Sequence, residues 1–171
     1  AVSNWGGTLG LTPVKIFHKG YYNHMEESHE LRVSYGNEKI WDVLAENPRN
    51  RVVVFGEQPE MLRFPCSTQS YTDIEGSGGN FNLSSSPEAL AEFFTFAGVD
   101  HIYLGSGYLK PGTDGFRNVT GLLKQGYLSD LLYENGNGLA VFSPEPRELS
   151  AEESEALLAE FTEKYWPGEQ Q

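Results

Sequence analysis

Glu57, Gln58, Asp73, Ser106 and Tyr108 are the residues of this chain whose types and positions suit ligand chemistry. Each follows a segment that reads as a β-strand, and open α/β sheets bind ligands beyond the carboxyl ends of their strands. Carboxylates exchange protons, amides and hydroxyls hydrogen-bond, and a tyrosine ring covers an apolar sugar face. None of the five completes a catalytic signature. Gly56 after a strand invites a dinucleotide reading, but Glu57 and Glu60 stand where that fingerprint needs glycines, and their charge repels a pyrophosphate. Gly76-Ser77-Gly78-Gly79 lacks the Lys-Ser/Thr ending of a phosphate loop and reads as a surface loop. Ser106 lies between adjacent glycines rather than at the wider spacing of a nucleophile elbow.

The remaining chemistry-bearing residues read more plainly. Asp73 and Glu75 alternate around Ile74 and would project together from an extended loop, but paired carboxylates need a fixed separation to do acid–base work. With 24 acidic residues, such pairs arise by chance. His24 and His29 are five apart, off one helical face, and no zinc-ligand spacing appears. His101 beside Asp100 reads as a satisfied structural histidine. Cys66 is the only cysteine, so no intrachain disulfide forms, and a small buried or strand-edge thiol is expected. Trp5, Tyr21, Tyr22, Tyr71, Tyr103 and Tyr108 offer candidate stacking surfaces for a sugar, although packing the core accounts for any one of them.

The elements that would position these groups are legible from Asn37 onward. Asn37 is a candidate cap for a helix through Ala45, with Ile40, Val43 and Leu44 on one face. Arg51 to Gly56 is a β-branched run ending in glycine, as a strand buried on both faces would be. A short helix over Glu57 to Phe64, a strand over Ser67 to Tyr71 and a loop over Thr72 to Ser85 follow. Ser86-Pro87 opens a helix with Leu90, Phe93, Phe94 and Ala97 at helical spacing, and Gly98 closes it. Asp100 to Gly105 is the next strand. Val119 to Asn135 reads as helical, with Gly126 a point where it would split, and Gly138 to Phe142 as a last strand. Ser150 and Glu153 form a capping box for a helix bearing Leu157, Leu158, Phe161 and Tyr165.

Strands alternating with helices predict an α/β domain: small, Rossmann-like and three-layered, with a mostly parallel sheet of four or five strands. One strand would be antiparallel at an edge. The expected organisation is a single domain over 1–171: an irregular extension over 1–36, the βαβ core over 37–142 and the C-terminal helix over 149–166. The chain has 171 residues, enough to bury about two-thirds of its unfolded surface without metals or disulfides. Its formal charge of −12 repels phosphate backbones, which argues against nucleic-acid partners. No run approaches the roughly 18 apolar residues that cross a bilayer. The chain starts at Ala1 rather than Met, so this says little about any longer polypeptide.

The order of segments resembles the C-terminal extracytoplasmic domain of polytopic membrane glycosyltransferases that use lipid-linked sugars. These are the dolichyl-phosphate-mannose and aminoarabinose-transferase-like families of bacteria. Ile40 to Pro48 leading into Arg51 to Glu57, Ser85 to Leu90 with Phe96 to Leu104, and Leu132 to Phe142 carry the resemblance, which covers 37–142. It implies an accessory domain on the extracytoplasmic face of a bacterial membrane. Its partner would be the membrane-embedded part of the same polypeptide, and it would help recognise the acceptor or a lipid-linked sugar. The family's catalytic acids lie on loops of the membrane part, so no catalytic residue, metal or cofactor carries over to this chain. Two other readings stand beside it: a free-standing small-molecule-binding or hydrolytic α/β domain, and a protein-interaction module using the acidic surface or the C-terminal helix.

Overall fold

The computed structural model describes residues 37–56, 62–76 and 83–165. The expected irregular extension over 1–36 and most of the short helix at Glu57 to Phe64 lie outside them. Among the described residues, five strands and five helices follow in chain order: α1 (Glu38–Ala45), β1 (Arg51–Phe55), β2 (Ser67–Ser70), α2 (Tyr71–Gly76), α3 (Pro87–Ala97), β3 (His101–Leu104), α4 (Asp114–Lys124), β4 (Leu128–Glu134), β5 (Asn137–Phe142) and α5 (Ala151–Tyr165).

The strands form one sheet in the order β2-β1-β3-β5-β4. β1 pairs in parallel with β2 and with β3, whereas β5 pairs antiparallel with β3 and with β4. The sheet is therefore mixed. This corrects the expectation of a mostly parallel sheet with a reversed strand at its edge, since β5 is interior.

The reason lies in the segment read as a helix from Val119 to Asn135. α4 starts earlier, at Asp114, because the Thr113 hydroxyl accepts the Phe116 N–H at 3.3 Å. It ends at Lys124, and Gly126 turns the chain with φ +80°. A side chain at Gly126 would collide with the backbone of Arg147, so the turn is held where the returning chain crosses it. The next residues are strand β4, joined to β5 through Asn135 (φ +51°) and Gly136 (φ +78°). Two successive positive φ values on Asn-Gly make a type I′ hairpin, whose twist matches the flanking strands. Opposite Ala140, the register gains a residue between Ser129 and Leu132, a β-bulge at which Asp130 adopts the left-handed φ of +48°.

Alternation along β1 and β3 divides the core between the two faces. Val53, Phe55, Ile102 and Leu104 join Leu90, Phe94, Leu122 and Phe161 from α3, α4 and α5. Val52, Val54 and Tyr103 face the other way, onto Ile40 and Leu44 of α1 and Phe64. Each fully buried aliphatic or phenyl side chain contributes about 1.5–3 kcal/mol, and strands covered on both faces need the continuous apolar runs they have. α3 is built as its sequence implies. Ser86 Oγ accepts the Ala89 N–H at 3.2 Å, and Gly98 closes the helix in the left-handed region. α5 opens on the expected reciprocal cap, Ser150 N–H to Glu153 Oε2 at 2.8 Å and Glu153 N–H to Ser150 Oγ at 3.2 Å.

α1 departs from expectation at its start. Asn37 does not cap it with its side chain. The Glu134 carboxylate does so instead, accepting the N–H groups of Lys39 (2.9 Å) and Ile40 (3.2 Å) from the end of β4. An anion at a helix N-terminus satisfies orphan donors and meets the positive end of the dipole.

Candidate functional site

The carboxyl ends of β1, β2 and β3 gather three of the five sequence-identified residues. Glu57 and Gln58 lie outside the described residues. Asp73 is exposed in the first turn of α2, where a loop was expected. Buried Tyr71 and Ile74, at helical spacing, anchor that turn. The helix separates Asp73 from Glu75 by about 200° around its axis, so the two carboxylates do not converge as they would from an extended loop. Ser106 is exposed in the turn after β3, where Tyr108 N–H donates to Gly105 O at 3.1 Å. Tyr108 is half-buried, and its hydroxyl lies 2.8 Å from Thr72 Oγ1.

Beneath this rim is a buried polar network. Asn137, at the start of β5, accepts the Ser106 N–H through Oδ1 at 2.8 Å and donates through Nδ2 to Asn37 Oδ1 at 2.9 Å. Asn37 Nδ2 in turn donates to the Tyr103 hydroxyl at 3.0 Å. Burial pushes the Tyr103 phenol up to about 12, despite its hydrogen bond to Asn37, so the hydroxyl keeps its proton. On the far side, the Tyr165 hydroxyl donates to Gly105 O. The turn bearing Ser106 is thus pinned by β5, α5 and its own hydrogen bond. A second buried amide, Asn118 of α4, donates to the Tyr71 hydroxyl at 3.0 Å and to Ser84 O at 2.8 Å.

Sequence reasoning missed the asparagines. An isolated Asn carries no periodic signal, and the Asn135-Gly136 hairpin that brings Asn137 to Ser106 was the one available clue. Two of the aromatics proposed as stacking surfaces are core residues: Tyr71 is 1% exposed and Tyr103 3%. Tyr71 stacks on Phe55 with centroids 4.2 Å apart. Trp5, Tyr21 and Tyr22 lie outside the described residues, as do His18, His24 and His29.

Among the described residues, this edge presents hydroxyl, phenol and carboxylate groups that can hydrogen-bond a polar ligand. Ser106 would need a base, and His101 is the only histidine among the described residues. It opens β3 while Ser106 follows the end of that strand, roughly 16 Å along an extended chain. His101 itself is not the satisfied residue its neighbour Asp100 suggested. Its buried Nδ1 has no hydrogen-bond partner, and burial lowers its pKa against the opposing pull of Asp100. Cys66, half-buried just before β2, has its thiol pushed up to about 11, first by burial and then by the Asp100 charge. A reactive cysteine needs the opposite shift. β1 separates Cys66 from His101, a spacing of about 10 Å for two strands. Among the described residues, no group of three or more His, Cys, Asp and Glu is placed to hold a metal, and no helix is long and apolar enough to cross a membrane.

No family model, curated protein or solved structure matches the chain.

Proposed function

We propose that this chain is a non-catalytic accessory domain of an integral-membrane glycosyltransferase-like protein. In this reading it lies over the membrane-embedded part of the same polypeptide, on the extracytoplasmic face of a bacterial membrane. There its carboxyl edge contacts a saccharide or the sugar of a lipid-linked donor. The observation that carries the proposal is the rim pair Thr72–Tyr108, hydroxyl to hydroxyl at 2.8 Å beside exposed Asp73. A phenol ring flanked by a hydroxyl and a carboxylate suits a pyranose, whose C–H face is apolar and whose edge is hydroxylated. The distance between Ser106 and His101 supports recognition over hydrolysis. The Rossmann-like comparison belongs to the same proposal; its support is the parallel order β2-β1-β3 with helices packed on both faces.

Two measurements test it. Saturation-transfer NMR with mannose and with aminoarabinose should show transfer to one sugar, and Tyr108→Ala should abolish it. Native protein that gives no transfer, or a Tyr108→Ala variant that keeps it, overturns the saccharide contact. The reading frame upstream of Ala1 should encode several apolar spans; a frame that opens close to Ala1 without them overturns the membrane partner.

A further inference from the structure

At the amino ends of the parallel strands, opposite the rim just described, β2 forms an edge of the sheet and exposes Ser67, Thr68 and Gln69. Ser67 N–H donates toward β1, to Asn50 O at 3.2 Å. Successive residues of a strand direct their backbone groups to alternate sides, so the N–H and C=O of Thr68 point away from β1, along the open edge. Among the described residues no strand pairs there.

Beside that edge lies a cavity of about 240 Å³ whose lining includes Arg51, Val53, Ser67, Gln69, Ala97 and Val99. The register Arg51↔Ser67 and Val53↔Gln69 places four of these on one face of the sheet. Buried Val53 and Val99 supply an apolar floor, and Ala97, the last residue of α3, bounds it. Arg51 Nη1 donates to Ala97 O at 2.6 Å. Gly98 turns the chain there with φ +64°, ending α3 so that Ala97 O faces the guanidinium. That bond orients the guanidinium, and among the described residues it is the side chain's one hydrogen bond. Among the described residues, the ion pairs are Arg117–Asp114 and Lys164–Glu160, and Arg51 belongs to neither.

The volume is below the roughly 300–1,000 Å³ of pockets that enclose a small molecule. It suits one or two side chains of an extended segment, and the outward groups of Thr68 supply the pairing such a segment needs. An oriented guanidinium selects a carboxylate. We propose that this trough docks an extended segment of a partner polypeptide, which adds to the edge of β2 and places an Asp or Glu side chain against Arg51. The proposal uses the opposite ends of the strands from the saccharide reading and stands or falls without it.

The test is fluorescence anisotropy on the full chain with a short labelled peptide of alternating threonine and valine and one central glutamate, against the same peptide with glutamine. The glutamate peptide should bind saturably and about tenfold more tightly than the glutamine peptide. Arg51→Gln should erase that preference. Thr68→Pro removes the outward donor at an edge position where proline is tolerated, and should weaken both peptides. Should Arg51→Gln fail to fold, the comparison of the two peptides on the native chain still decides. Equal affinity for the two peptides, or no saturable binding, overturns the proposal. So does a dimer in sedimentation that Thr68→Pro dissolves, because the edge would then belong to a second copy of this chain.

Discussion

Half-buried His101 and buried Asn137 show how differently two polar residues are treated in this molecule. Asn137 engages both ends of its amide, Oδ1 with Ser106 and Nδ2 with Asn37, which offsets the desolvation of a buried polar group. His101 leaves Nδ1 buried without a partner, and burial lowers its pKa below the ordinary 6.5 despite Asp100. Because the folded state holds this imidazole neutral, the unfolded chain takes up the proton first as the medium acidifies. The stability contributed by the neutral ring is complete above about 6.5 and is lost as pH falls from there toward the lowered folded value. Urea denaturation at pH 7.5 and at 5.5 should therefore give a lower midpoint at 5.5. His101→Gln should shrink that difference; an equal difference in the variant would assign the effect to other groups.

Secondary-structure elements here depend on one another's ends more than on their own propensities. Eight-residue α1 is too short to persist alone, and its two donors at Lys39 and Ile40 are met by Glu134 of β4. The hairpin turn at Asn135-Gly136 puts Glu134 in register to do this. Glu134→Ala should cost about 1 kcal/mol, read as a lower urea midpoint, with amide exchange fastest at Lys39 and Ile40. Unchanged exchange at those two amides would show that α1 does not depend on this cap. The same hairpin explains the largest departure from the sequence reading. Tyr127, Leu131 and Leu132 continue the apolar stripe of Leu122 and Leu123, so periodicity alone continues the helix past Gly126. Only pairing with β5 makes that stretch a strand, and the bulge at Asp130 is invisible until the register is known.

Over the whole molecule, charge and burial act on different scales. The formal charge of −12 repels itself in the compact state. Raising ionic strength from about 20 to about 200 mM shortens the screening length from roughly 20 to roughly 7 Å. The Tm should rise by about 2–4 °C across that range, the equivalent of about 1 kcal/mol for a chain of this size; a falling Tm would mean that attractive pairs outweigh the repulsion. Sequence alone determined the strands at Arg51 to Phe55 and His101 to Leu104, the capped helix between Ser86 and Gly98, and the Ser150–Glu153 box. In each case the signal is local: a run of β-branched residues, a hydroxyl before proline, or a glycine able to take positive φ. Among the candidate residues it located Ser106 and Tyr108 at a strand end, where the structure has them. Tertiary structure alone decided the mixed sheet, the cap on α1, the short helix that parts Asp73 from Glu75, and the burial of Tyr71 and Tyr103. These depend on which segment returns to pair with β3 and which side chains then meet across about 100 residues of chain, as Asn37 meets Asn137. No local pattern encodes such a meeting, because its free energy exists only once the chain has closed around it.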